Sequence, residues 1–233
     1  MEKQSASNTT IFDTRESDLE REIRVKDALI HEVHHRVKNN LQTVESLLRL
    51  HIRCCPPGEA RDVLVEAAGR LRSMAVVHEM FSDAARERVD AVELASRVSQ
   101  QVKAGMCGDS EDYCINVTGK AQYVTGSVAM SLALVIAEIT CNSFEHGFEG
   151  ESHGCIDIHF EQMDAGLRVT ISDEGCGLPS DFNLHEQSSM GLTLMLTLVE
   201  DGLRSRLEEV PVPVGTCFSF EIPDSVFAEP AIS

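Results

Sequence analysis

The sequence predicts an α+β protein in which an N-terminal helical hairpin, doubled by a second copy into a dimeric four-helix bundle, precedes a two-layer α/β sandwich. Three observations predict it. Apolar residues at steps of three and four run through two long N-terminal stretches, and Pro56-Pro57-Gly58 separates them. Strict apolar–polar alternation appears only in the second half, between further helical stretches. With 233 residues and 42% hydrophobic side chains, the chain can build one large domain or two small ones.

Residues 1–18 are polar, as in Ser5-Ala6-Ser7-Asn8-Thr9-Thr10, carry no apolar period and read as a flexible tail. From Leu19 the pattern turns helical, with Ile30, Val33, Val37, Leu41, Val44 and Leu48 marking one stripe. Leu64, Ala67, Leu71, Met74, Val77 and Phe81 mark a second, so 19–86 form a hairpin. A lone hairpin cannot cover both stripes. Pairing with a second copy covers them, and docking on the chain's own C-terminal domain is the alternative. Residues 87–224 then mix helix and strand: Ala91 to Ala104 and Ser127 to His146 read as helices, and Tyr113 to Val117 as a strand. Ile156, Ile158 and Phe160 alternate with polar residues, as do Leu167, Val169 and Ile171, across a turn at Met163 to Gly166. A helix from Gly191 to Glu200 and a strand from Cys217 to Ile222 complete a mixed sheet with its helices on one face. Residues 225–233 read as a second tail.

Twenty Lys plus Arg against 38 Asp plus Glu give a net charge of −18, which opposes direct binding to nucleic acid or to an anionic membrane. The longest nearly uncharged apolar run, Val128 to Ala137, is short of the ~20 residues that cross a bilayer, and Met1-Glu2-Lys3-Gln4-Ser5 opens no secretory signal. A cytoplasmic protein is expected. The eight cysteines contain no zinc-ribbon C-x-x-C pair and read as reduced, mostly core residues rather than a disulfide framework.

Chemistry concentrates first in LIHEVHHRVKNNLQ, from Leu29. His31-Glu32-Val33-His34-His35 satisfies H-E-x-x-H, a zinc pattern in which the Glu acts as base. Sorted at 3.6 residues per turn, His34 falls toward Ile30, Val37 and Leu41, and His35 falls on a polar stripe with His31, Lys38, Asn39 and Gln42. An imidazole flanked by Lys and Asn donors suits a phosphoryl group. A catalytic zinc would need a third ligand from elsewhere. Downstream, AEITCNSFEHGF sets Glu138, Asn142 and His146 at successive i+4 positions, where Glu and Asn can orient water and hold a divalent cation, or simply form a polar helix face. Asp173-x-Gly175-x-Gly177 offers a carboxylate for an exocyclic amine and glycines for close approach, although a tight turn after a strand reads the same way. The polar stretch Ser180 to Ser189 feeds Met190-Gly191-Leu192 at a helix start, the form of a lid and anion site, and Gly215-Thr216 precedes the last strand. The order of these motifs is more specific than any one of them.

His35-Arg36-Val37-Lys38-Asn39 with Asn40-Leu41-Gln42 resembles the phosphoacceptor box of the second HisKA subfamily of sensor histidine kinases. The later motifs resemble the N, G1 and G2 boxes of the ATP-binding domain shared by histidine kinases, gyrase, Hsp90 and MutL, and the likeness runs from residue 22 to 223. It is similar to cytosolic actinobacterial kinases paired with RNA-binding response regulators. The resemblance implies an ATP-dependent protein histidine kinase of GHKL type with ATP and Mg²⁺ as cofactors. His35 would be the phosphoacceptor beside Lys38 and Asn39, and Glu138 would activate it or orient water. Asn142 would hold Mg²⁺, Asp173 would read adenine, and Thr216 would reach toward it. His146, Gly175, Gly177, Gly191 and Leu192 would complete the nucleotide pocket and lid. Implied partners are a second copy of the chain, the receiver domain of a response regulator and a separate sensor protein. Met190 and Val212-Pro213-Val214 depart from the family pattern, which usually has glycines there. Two rivals remain: a phosphotransfer or scaffold protein with a nucleotide-gated, catalytically weak domain, and an ATPase or protein-serine kinase with the same pocket.

Overall fold

Two long helices open the chain, α1 (Glu2–Cys54) and α2 (Glu59–Ala84), turned against each other by the Pro56-Pro57-Gly58 break. The computed structural model describes residues 2–84, 88–108, 110, 112–179, 182–184 and 189–227, with side chains from residue 21 except those of 23, 24, 83 and 84. Residues 2–18 are helical rather than the tail their composition suggested. A nucleated helix adds a hydrogen bond for every residue it fixes, so a polar stretch can continue it.

Beyond the hairpin come β1 (Arg88–Asp90), α3 (Ala91–Met106), β2 (Tyr113–Gly119), β3 (Tyr123–Thr125) and α4 (Gly126–Asn142). Asp90 caps α3 by accepting from the Val92 amide at 3.0 Å, and it ties in the next loop through the Gln122 amide at 3.1 Å. Then follow β4 (Gly154–Met163), β5 (Gly166–Asp173), α5 (Met190–Thr197), β6 (Glu208–Glu209), β7 (Cys217–Pro223) and α6 (Asp224–Phe227). Helix α6 corrects the expected C-terminal tail: its Val226 packs into the core. Residues 228–233 lie outside the described residues.

The main sheet has the order β2-β4-β5-β7-β6, with β2 parallel to β4 and the other pairs antiparallel. Alternation sets its register: Ile158 faces Ile171, Phe160 faces Val169, and Val169 faces Phe220, all buried. Helices cover that one face, as expected. The short β1–β3 pair escaped the sequence reading because three-residue strands carry no period.

Helix α4 lies between the sheet and α2 and buries residues on nearly all sides, including Val128, Leu132, Ile136 and Ile139. Gly126–Gly147 is long and apolar enough to cross a membrane, yet its most apolar stretch is mostly buried inside the fold. Its polarity pattern is that of a core helix.

One face of the hairpin, that of α2, docks on the chain's own C-terminal domain. Ala68, Val77, Met80 and Phe81 of α2 are buried, and α2 packs against α3 and α4. The α1 stripe accordingly splits. Val37, Leu41 and Leu48 are half-buried toward α2, whereas Ile30, Val33 and Val44 stay exposed together with Leu29 and Leu47. A further correction concerns redox state. Cys114 and Cys155 are register partners in β2 and β4 and form a disulfide, so these two are not the reduced residues expected.

Candidate functional site

A cavity of about 410 Å³ opens between α4, the β5–α5 segment and the start of β7. Ile139, Leu192, Met195 and Phe218 give it apolar walls that suit a flat ring, and Asn142, His146, Asp173 and Thr216 supply polar groups. Asp173 ends β5, where the strand leaves the sheet, and its carboxylate is buried at 7% exposure. Three donors fix it: Ser143 Oγ donates to Oδ2 at 2.8 Å, and the Gly175 and Thr216 amides donate to Oδ1 at 3.0 and 3.1 Å. Oδ2 keeps an acceptor position for an amine in the cavity.

Two local features build this cradle. After Asn142 the helix widens into a π turn over Ser143–Gly147, closed by the Phe148 amide donating to the Ser143 carbonyl at 2.9 Å. Such widening changes which residues share a face, so Asn142 and His146 line the cavity while Ser143 reaches Asp173. At the other side Gly215 has φ +76°, and a Cβ there would overlap the Asp173 carbonyl oxygen. Only glycine lets the β7 approach lie this close.

The structure brings Asn142, His146, Asp173, Gly177, Leu192 and Thr216 to one cavity, with Gly175 bound to its carboxylate. It does not bring Glu138 or Gly191 into the lining. Glu138 faces α2, where Arg70 Nε donates to Oε1 at 2.7 Å, and a Cβ on Gly191 would sit 2.8 Å from Glu138 Oε2. Glu138 and Asn142 both belong to the regular part of α4, and the docked hairpin engages the Glu138 end of that face while Asn142 lines the cavity. Of the expected lid, Ser180, Asp181 and residues 185–188 lie outside the described residues. Phe182 lines the cavity, and Ser189 caps α5 by accepting from the Leu192 amide at 3.3 Å. Met190 is exposed, and Val212-Pro213-Val214 line a neighbouring cavity of about 490 Å³.

On α1 the adjacent histidines part as their helical angles require. The His34 ring stacks on Phe81 with centroids 5.3 Å apart, and its Nδ1 lies 3.0 Å from His78 Nδ1. Burial, and then the nearby His31, pushes His34 below its ordinary value; burial, and then His34, does the same to His78. His35 is exposed, with Asn39 Nδ2 3.4 Å from Nδ1, so the open edge of the ring carries Nε2. Two members of the expected polar stripe turn to α2 instead. His31 Nδ1 meets the Ser82 carbonyl at 2.5 Å, and Lys38 pairs with Glu79 at 2.9 Å. Long side chains at the edge of a stripe swing to the nearest partner. Arg36 holds the Glu32 carboxyl below its usual range by hydrogen bonding and charge, and among the described residues no three His, Cys, Asp or Glu converge on a metal.

Ser143, Gly147 and Arg70 were missed by sequence reasoning. The small residues after Asn142 were a signal for the first two, since a serine and a glycine flank the close approach to Asp173.

Comparison with known proteins follows the two halves. The family described as "Histidine kinase" matches residues 32–105, and that described as "Histidine kinase-, DNA gyrase B-, and HSP90-like ATPase" matches 127–226. The chain is 36% identical to the sensor histidine kinase PdtaS of Mycolicibacterium smegmatis over 84% of its own length and 39% of that protein. It is 37% identical to the PdtaS of Mycobacterium tuberculosis over 78% of its length and 36% of that protein. The chain thus spans about two-fifths of the length of these curated relatives. Among solved structures, the histidine kinase domain of an Erythrobacter litoralis blue-light activated histidine kinase shares the fold, with a TM-score of 0.62 at 23% identity over 87% of this chain and 98% of that one.

Proposed function

The chain belongs to the histidine kinase family, and on that premise we propose that it is an ATP-dependent protein kinase that phosphorylates its own His35 and passes the phosphoryl group to an aspartate of a response-regulator receiver domain. The supporting observation is the separation of the two histidines: His34 is packed against Phe81 and His78, and His35 stands free beside Asn39.

The chemistry follows from the groups present. Adenine enters between the apolar walls and gives its amine hydrogen to Asp173, held ready by Ser143, Gly175 and Thr216. Asn142, in the cavity wall, would hold a Mg²⁺ ion through its side-chain oxygen, and the ion would supply neutralisation of the phosphate charge. His35 Nε2 attacks the γ-phosphorus, the bond to the β–γ bridging oxygen breaks, and ADP leaves with the electron pair. The proton shed by the imidazole passes to a carboxylate, the role assigned to Glu138. A receiver aspartate oxygen then attacks the phosphohistidine and restores the imidazole.

Incubation with γ-labelled ATP and Mg²⁺ tests this. His35→Gln is expected to abolish labelling and His34→Gln to retain it, with an acid-labile, base-stable phosphate on the wild type. Label on His34 would overturn the assignment of the acceptor, and nucleotide binding with no label on any histidine would favour the nucleotide-gated scaffold.

A further inference from the structure

Glu138, the carboxylate to which the proton transfer is assigned, is held by the hairpin in the structure. Arg70 of α2 holds it by two bonds, Nε to Oε1 at 2.7 Å and Nη2 to Oε2 at 3.3 Å. The pair is largely shielded, with side-chain exposures of 17% for Arg70 and 12% for Glu138, and it joins the hairpin to the nucleotide domain. The surroundings are acidic. Glu66 also pairs with Arg70, at 3.3 Å, and Glu145 at the π turn has its carboxyl pushed up by burial and by the nearby Glu66 and Glu138, against the lowering effect of His146. Without Arg70, three carboxylates would face one another across the α2–α4 contact. Meanwhile, among the described residues, none of the hairpin lines the nucleotide cavity, so the docked arrangement keeps His35 outside it.

From this geometry we infer that Arg70 is a positioning residue for Glu138: its ion pair latches the hairpin to the nucleotide domain and withholds the carboxylate from phosphoryl transfer until the two parts separate. The inference rests on the assignment of transfer to His35. Gly191 at the head of α5 is the third party to the contact, because a Cβ there would sit 2.8 Å from Glu138 Oε2 and the carboxylate would have to shift. The latch therefore touches α5, so a shift of α5 and release of the hairpin act on the same carboxylate.

Hydrogen exchange of the full chain reads the latch without any turnover. Arg70→Ala, with an unchanged far-ultraviolet spectrum, is expected to speed exchange over α2 residues 66–77 by roughly tenfold or more, and Arg70→Lys by less, since a partly buried pair has lost its partner. Glu138→Gln retains Arg70 and should release α2 as Arg70→Ala does. Labelling separates the second half of the inference. Arg70→Ala should raise the initial rate of His35 phosphorylation at saturating Mg·ATP by roughly threefold or more with nucleotide affinity unchanged, and Glu138→Gln should not. Unchanged exchange in both variants would overturn the latch, as would a lower labelling rate in Arg70→Ala at full nucleotide occupancy. If no variant, nor the wild type, labels His35 while ATP binds, it is the kinase reading that fails, and the exchange result still decides whether Arg70 holds the hairpin.

Discussion

Asp173 receives donors from the π turn after α4, from its own loop and from the entry to β7, so residues far apart in sequence are registered on one carboxylate. Replacing it by Ala leaves those donors unpaired and removes the acceptor for the amine. Binding of a fluorescent adenine nucleotide is expected to fall below detection, whereas Ser143→Ala should weaken it by only about 0.5–1.5 kcal/mol, the worth of one hydrogen bond. Gly215→Ala introduces a side chain where the Asp173 carbonyl lies and at a positive φ, so it should cost nucleotide binding as severely as Asp173→Ala while sparing α1 and α2. Equal binding in all three proteins would show that the cavity is not the nucleotide site. Asp173 and the glycines were legible in the sequence because their spacing after a strand is itself the signal. Ser143 was not, because its role depends on the π turn, and a helical projection assumes a constant 3.6-residue period.

Helix α2 shows why element positions were legible and their partners less so. Its stripe of Leu64, Ala67, Leu71, Met74, Val77 and Phe81 located a helix, but periodicity states only that a face is covered, not by what. In the structure α2 serves two neighbours, α1 on one side and α3 with α4 on the other. Where α1 meets α2, the His34–His78 contact makes the packing sensitive to pH. Both rings have values lowered from 6.5 in the folded chain, so the unfolded chain binds protons more readily. The contact is fully stabilising above about pH 6.5, and its contribution is lost as pH falls through that value toward the lowered folded ones. Thermal unfolding at pH 7.5 and 5.5 should therefore show a larger fall for the wild type than for the double variant His34→Gln with His78→Gln. An equal fall in both would remove this pair as the source. The disulfide between Cys114 and Cys155 belongs to the same lesson: cysteine spacing gave no hint of it, because the two residues meet only through the parallel register of β2 and β4.

At the scale of the whole molecule, docking α2 on the nucleotide domain leaves an apolar stripe on α1 unspent. Leu29, Val33, Val44 and Leu47 are between 46% and 60% exposed, and at 100° per residue they fall within about 60° of one another. His35 sits roughly 150° round the helix from the middle of that stripe, so a second copy could cover the stripe and leave the acceptor open. Two such helices side by side, each backed by its own α2, make the four-helix bundle proposed from the sequence, with the difference that the outward residues and not Leu41 form the seam. Leu41 is half-buried toward α2, and a charge there would damage the hairpin itself. Val33→Asp combined with Leu47→Asp, by contrast, alters only the exposed stripe: in a dimer it buries unpaired carboxylates at a cost of several kcal/mol, and in a monomer it costs almost nothing. Light scattering at micromolar concentration should give the wild type twice the chain mass of 25.6 kDa and the double variant that mass once, with the thermal midpoint of the nucleotide domain unchanged. A wild-type monomer, or a double variant that stays dimeric, would place the partner of this stripe elsewhere.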